Sequence, residues 1–244
     1  TAAASHDNSN NFMGFYSMPN ASALHGWGNM WYSSSPSALV ESRQKNGYTH
    51  QLFAIEGLFL HHTQTAPSGG LRLMDDWVSR WTDTYAPISK ELLANGTIVG
   101  FFLGDELMWG GLPYEQLTEW SDLIRATFPT AFLWANEAFG VYHCDGWNKK
   151  GEGECIDVHK NVINITNGIP PALNATSIDS YFWSNSTFSM QDHVKAVEAY
   201  YNEFLYTKAH PGQVFFQIPG AAGSTHNPIC DLKCYESVDI DHAN

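Results

Sequence analysis

Short apolar runs alternate with amphipathic stretches along most of this chain. The apolar runs, rich in β-branched and aromatic residues, predict strands over 12–18, 51–60, 98–106, 131–138, 177–183 and 213–219, with a further one at 27–32. Between them, apolar residues recur at helical spacing over 37–45, 71–93, 114–127 and 190–208. Pro87 predicts a break or kink in the second of these helices. Ser35 with Pro36 opens the first helix and Gly47 closes it.

Repeated strand, helix, strand with mostly buried strands predicts an α/β fold, its parallel sheet joined by right-handed crossovers. Two architectures compete, an open doubly wound sheet and a closed barrel. A nucleotide-binding doubly wound sheet places a glycine-rich phosphate turn after its first strand. No G-x-G-x-x-G follows 12–18, and Gly69-Gly70 lies in a polar loop. A barrel instead gathers acidic and aromatic residues at the C-terminal ends of successive strands. The strand ends here carry Glu56, Asp105 with Glu106, Asn136 with Glu137, and Asp179 with Tyr181. The expected fold is therefore a (β/α)8 TIM-like barrel with the last strand incomplete. Residues 1–11 read as a flexible polar end, 12–244 as one catalytic barrel domain, and 144–174 as a loop insertion rich in Gly, Asn and Lys.

Composition narrows the function. Hydrophobic residues make up 43% and charged residues 15%, which excludes general disorder. Twelve Lys and Arg against 25 Asp and Glu leave a formal charge of −13, which repels nucleic acid over most of the surface. No run approaches the roughly 20 apolar residues of a bilayer span, so no membrane insertion is expected. The sequence begins at Thr1, as after leader removal or in a fragment. Sequons at Asn20, Asn95, Asn164, Asn174 and Asn185 favour leader removal and a secreted glycoprotein. The four cysteines form two close pairs, Cys144 with Cys155 and Cys230 with Cys234. Three connectivities are possible, and local pairing is preferred because each bridge staples one loop, the first within 144–174. Zinc is the competing idea, since His143, His159 and His226 lie near these cysteines. No paired C-x-x-C spacing accompanies them, and no metal is expected.

The chemistry concentrates in two runs. In Ile98-Val-Gly-Phe-Phe-Leu-Gly-Asp-Glu106, alternate residues share a face. Val99, Phe101, Leu103 and Asp105 suit a helix-facing side; Gly100, Phe102, Gly104 and Glu106 suit a crowded interior. Glu106 is thus expected in the barrel mouth with Asp105 beside it, where a partly dry setting near a second carboxylate raises a carboxyl's pKa towards that of a general acid. In Ala131-Phe-Leu-Trp-Ala-Asn-Glu137, Glu137 shares a face with Leu133 and Ala135, and Trp134 shares the other with Asn136. Neighbouring strands lie about 4.8 Å apart. Glu106 and Glu137 are then expected to flank one small ligand group, as the two carboxyls of glycoside hydrolysis do.

Ser177, Asp179, Tyr181 and Trp183 form one polar and aromatic strand face, suited to a sugar's rim hydroxyls and flat ring. Asp179 is read as catalytic support, with Tyr181 and Trp183 as substrate contacts. Trp27, Trp31, Trp109 and Trp147 fall in predicted loops, and at least one is expected to stack on substrate; Trp31 and Trp109 are the candidates. Gln217 and Glu56 are the remaining candidate substrate contacts. Two adjacent histidines, His61 and His62, project apart and suit no shared ion. No G-x-S-x-G elbow or Walker loop is present.

The run Gly100-Phe-Phe-Leu-Gly-Asp-Glu106 resembles TIM-barrel glycoside hydrolases that carry an acid/base Glu at the end of the fourth strand. The resemblance covers most of the chain in architecture and fewer than ten residues in motif. It implies the acid/base role for Glu106. The large retaining clan has Asn-Glu at that position, and here Asn136-Glu137 carries it one strand later. If 27–32 is not a strand, Glu137 takes the fourth-strand place. The clan's nucleophile near the seventh strand has no equivalent at Gln217. An adjacent Asp-Glu pair also resembles hexosaminidase-type barrels, in which the substrate's acetamido group attacks, so N-acetyl sugars stay open as substrates.

The expected function is a secreted, monomeric, cofactor-free glycosidase acting on a poly- or oligosaccharide. Glu106 is its acid and Glu137 its partner carboxylate, with Asp105 and Asp179 in support. The alternative is a non-catalytic extracellular carbohydrate-binding protein on a barrel scaffold, because fold alone does not separate the two.

Overall fold

A computed structural model describes residues 30–62, 70–138, 141, 149–151, 154–156, 162–164, 168–180 and 190–219. Their strands, in chain order, are β1 (Met30–Ser33), β2 (His50–Ala54), β3 (Leu60–His62), β4 (Leu71–Leu73), β5 (Gly100–Asp105), β6 (Phe132–Ala138), β7 (Lys149–Gly151), β8 (Glu154–Ile156), β9 (Val162–Asn164), β10 (Ala175–Ser180) and β11 (Val214–Pro219). The helices are α1 (Pro36–Asn46), α2 (Glu56–Phe59), α3 (Trp77–Arg80), α4 (Ala86–Ala94), α5 (Tyr114–Thr127), α6 (Met190–Tyr200) and α7 (Tyr206–Lys208). Wider π turns at Trp81–Tyr85 and Tyr201–Leu205 join α3 to α4 and α6 to α7.

Six strands form one sheet in the order β1-β2-β5-β6-β10-β11. Every neighbouring pair is parallel. Strand order follows chain order without reversal, and the apolar side chains show what this does to the layers. Phe53, Phe101, Leu103, Leu133, Ala135 and Ile178 share a core with Leu39 of α1, Leu92 of α4, Trp120 of α5 and Leu205 of the last π turn. The opposite face carries a second apolar cluster of Leu52, Phe102, Trp134 and Ala175, flanked by Tyr32 and Phe216. Among the described residues, helices therefore cover one face only. Among the described residues the sheet is open, with β1 and β11 at its edges, where the sequence predicted a closed barrel. Ring closure needs strands hydrogen-bonded to both edges, and these segments supply six.

Local chemistry explains the elements that differ from expectation. Residues 51–60 are not one strand: β2 ends at Ala54, and Glu56 opens the single turn α2. Residues 71–73 pair with β3 as a short antiparallel ribbon, so the predicted 71–93 helix starts only at Trp77. Pro87 does not break that helix. The five-residue π turn immediately before it widens the backbone where proline's missing N–H and ring would clash with an α turn. Within the predicted loop insertion, β7, β8 and β9 form a small antiparallel sheet. The first helix is capped as read: Ser35 Oγ accepts from the Ala38 N–H at 3.3 Å, and the Gly47 N–H donates to the Arg43 carbonyl at 3.1 Å. The predicted strand at 27–32 appears as β1, whereas 12–18 lies outside the described residues.

One glycine sets how closely two strands approach. A Cβ at Gly100 would lie 1.8 Å from the Phe132 carbonyl oxygen, so only glycine admits the β5–β6 contact at that level. Three residues later the pairing slips between Phe102 and Asp105. That irregularity re-aims the strand end which carries the acidic pair.

Candidate functional site

The C-terminal ends of β2, β5 and β6 bring four carboxyl groups into one neighbourhood. Glu56 Oε2 accepts from the Asp105 main-chain N–H at 3.0 Å. Gly104 makes room for this contact, because a Cβ there would lie 2.7 Å from the same oxygen. Burial raises the Glu56 carboxyl above its ordinary value; the Asp105 N–H opposes this, and the Asp105 charge adds to it. Asp105 is half-buried, and its Oδ1 accepts from Asn136 Nδ2 at 2.8 Å.

Behind Asp105 runs a fully buried polar chain. Trp134 Nε1 donates to Ser177 Oγ at 2.8 Å, and Ser177 Oγ donates to Asn136 Oδ1 at 2.6 Å. With its carbonyl oxygen engaged by Ser177, the Asn136 amide presents its N–H to Asp105. Parallel pairing puts these residues together: Ser177 lies opposite Asn136, and Asn136 opposite Asp105. Three strand ends thus orient one carboxylate.

Glu106 follows on the same strand end, half-buried, with φ 48°. Among the described residues it alone, apart from glycines, adopts a left-handed backbone. A bulky residue held there marks a site where surrounding structure overrides local preference. Its main-chain N–H donates to the Asn136 carbonyl at 2.9 Å, and its carbonyl accepts from Gly110 at 2.6 Å.

Glu137 does not stand open beside Glu106. It is 0% exposed, on the helix-facing side with Leu133 and Ala135. Its two oxygens accept from the main-chain N–H groups of Met108 at 3.0 Å and Trp109 at 3.4 Å. Burial pushes its carboxyl up to about 8; the two N–H groups oppose this, and the charges of Asp105 and Glu106 add to it. The expectation of two carboxylates flanking one ligand is corrected here. The odd-numbered face of β6 is the helix face, so Glu137 lies beneath the turn after β5.

The other candidates are distributed as follows. Trp31 stacks on Tyr48 with ring centroids 6.3 Å apart, half-buried on the helix side. Trp109 is half-buried and packs against the same core. On the other sheet face, Tyr32, Phe102 and Trp134 form a ladder with successive centroid distances of 4.6 Å. Asp179 and Gln217 lie in β10 and β11, paired through the backbone with Ile218 and Ile178 respectively. Their side chains lie outside the described set, as do Trp27, Trp147, Tyr181 and Trp183.

Among the sequons, Asn95 is exposed at the end of α4, its Oδ1 accepting from the Thr97 N–H at 2.9 Å. Asn174 is half-buried, and its Oδ1 accepts from the Leu133 N–H at 2.9 Å and from the Arg125 guanidinium. Asn20, Asn185 and the Asn164 side chain lie outside the described residues, together with Cys144, Cys230, Cys234 and the Cys155 side chain. His61 and His62 form β3 against Arg72 and Leu71. Among the described residues no group of three or more His, Cys, Asp or Glu side chains is arranged to hold a metal ion.

Sequence reasoning missed Arg72. Its guanidinium donates to the Leu71 and Gly111 carbonyls, tying β4 to the turn after Glu106. A lone arginine between two leucines carries no signal that it reaches across 39 residues of chain. Compared with known proteins, the chain matches no family, no curated protein and no solved structure.

Proposed function

We propose that this chain is a secreted glycoside hydrolase on a (β/α)8-type barrel, with Glu106 as its proton donor and Asp105 as the carboxylate that stabilises developing positive charge. The observation that carries this reading is the convergence of Glu56, Asp105 and Glu106 at the C-terminal edge of a parallel sheet, where ligands bind in such folds. Asp105 is held as an acceptor by Asn136, and Glu56 is biased towards its protonated form beside it.

The layer arrangement supports the barrel. A parallel sheet that is apolar on both faces needs cover on both. Here the helices cover one face, and Leu52, Phe102 and Trp134 on the other are at most 4% exposed. Unreversed strand order lets a sheet curl and cover that face with itself. The substrate is a poly- or oligosaccharide, and the reaction needs no group beyond the carboxyls and water.

The test is hydrolysis of a glycan panel by the parent protein, Glu106→Gln and Asp105→Asn. Each variant is expected to lose about 10²–10⁴-fold in kcat with glycan affinity retained. A parent protein that cleaves no glycan defeats the enzymatic reading. The second reading, a carbohydrate-binding barrel without catalysis, draws on the burial of Glu137, which removes one of the two expected open carboxylates. Glycan binding without turnover, unchanged in Glu106→Gln, is its signature.

A further inference from the structure

We propose that Glu137 is a positioning residue: its carboxyl clamps the turn that follows β5 and thereby holds Glu106 in its left-handed backbone conformation. The part that concerns turnover rests on the hydrolase reading above; the clamp itself does not.

The turn is built like the start of a helix. The Gly110 N–H reaches back to the Glu106 carbonyl at 2.6 Å, Gly111 to Met108 at 3.0 Å, and Leu112 to Leu107 at 2.9 Å. The first N–H groups of such a turn have no carbonyl partner within it. At an ordinary helix start, a side-chain oxygen one position outside the helix accepts from the second or third N–H. Here the residue at that position is Glu106. The oxygens on the N–H groups of Met108 and Trp109 come instead from Glu137, 28 and 29 residues further along the chain. Capping is supplied from the neighbouring strand.

The same turn is gripped from the opposite side. The Leu71 N–H donates to the Gly110 carbonyl at 2.8 Å, and Arg72 donates to the Gly111 carbonyl. Below, the Glu106 N–H is held by the Asn136 carbonyl at 2.9 Å, one residue before Glu137. Strand β6 therefore fixes Glu106 twice, through its own backbone and through the Glu137 side chain. A left-handed non-glycine residue is costly by itself and persists only where neighbours over-determine it. The clamp supplies that constraint.

Glu137→Gln is the test, read by residue-resolved amide hydrogen exchange and by steady-state kinetics on whichever glycan the parent cleaves. Replacing the carboxyl with an amide keeps one acceptor and turns a donor towards the second N–H. Exchange at Met108 and Trp109 is expected to accelerate at least about tenfold, while Leu133 and Leu117 keep their protection. kcat is expected to fall about 10- to 100-fold with KM within twofold. Unchanged exchange at Met108 and Trp109 in a folded variant overturns the proposal. So does a loss of kcat beyond about 10³-fold with unchanged exchange, which makes Glu137 a reacting group. If the variant does not fold, the unaltered protein decides. Its Met108 and Trp109 amides are expected to exchange as slowly as those of β6, and exchange at the rate of an open turn overturns the clamp. If no glycan is cleaved, the hydrolase reading fails while exchange still decides the clamp.

Discussion

The main-chain N–H of Asp105 donates to the Glu56 carboxyl at 3.0 Å, joining the ends of β2 and β5 across 49 residues of chain. Because the bond comes from the backbone, it survives any change of the Asp105 side chain. The charge of Asp105 does not, and two other carboxyls feel that charge.

Asp105→Asn is therefore expected to lower the titration midpoints of both Glu56 and Glu137, because in each the Asp105 charge adds to the upward push of burial. Carboxyl carbon NMR titration of the parent and the variant measures this directly. An unchanged Glu56 midpoint would show that the two groups are not coupled.

Stability is expected to decline as pH rises across the neutral range. The Glu137 carboxyl titrates ordinarily at 4.5 and in the fold at about 8, so between those values the folded chain holds a proton that the unfolded chain has released. The contribution is fully present below about 4.5, falls as pH rises, and is gone above about 8. Glu56, raised in the same direction, adds a slope of the same sign. Urea unfolding at intervals from pH 5 to 9 tests this, and Glu137→Gln is expected to flatten most of the slope. An equal slope in the variant places its origin elsewhere.

Ser177→Ala is expected to destabilise the fold by about 2 kcal/mol or more. It removes one hydroxyl that accepts from Trp134 and donates to Asn136, all within a region excluded from water. The indole N–H and the amide oxygen both lose their partners. Asn136 then no longer has a fixed orientation towards Asp105, so glycan turnover is expected to fall along with stability. Loss of stability below about 0.5 kcal/mol would mean that the chain of bonds relaxes without it.

Arg125→Met is the contrasting case. The guanidinium donates at 2.8 Å to the carbonyls of Pro129, Ala131 and Ala172, and also to the Asn174 side chain, at the ends of β6 and β10 remote from the acidic cluster. The expected loss is about 2–3 kcal/mol from a charged group with several acceptors. The Glu137 midpoint, read by NMR, is expected to stay where it is. A moved midpoint would show that strain travels the length of the strands.

The strands at 98–106 and 131–138 were legible because their apolar runs are buried on both faces and bounded by turn residues; 213–219 was legible from its apolar run, although Val214 there is exposed. Helix α5 was legible to its end residues, since Trp120 and Ile124 recur at helical spacing with Leu117. The two faces of β5 were legible only in part: Phe101 and Leu103 face the helices and Phe102 the other side, but Val99 packs with Phe102 and the register slip turns Asp105 to Asn136, whereas strict alternation puts both on the helix-facing side. What misled the reading of Glu137 was the inference that strand-end carboxyls on adjacent strands face one ligand. Period-two alternation assigns a residue to a face but does not say which face the helices take. The helices took the face of Leu133 and Ala135, and Glu137 went with them.

Residue order alone determined the α/β alternation, the acidic surface and the presence of carboxyls at successive strand ends, because these follow from local periodicity and composition. Tertiary structure decided the rest: that Asn136 orients Asp105, that Glu56 receives the Asp105 N–H, and that Glu137 caps a turn on another strand. Each of these contacts joins residues about 30 or more positions apart, where strand pairing and a one-residue slip at Asp105 set the geometry. Interactions of that range carry no local pattern, and only the packed sheet brings their partners within hydrogen-bonding distance.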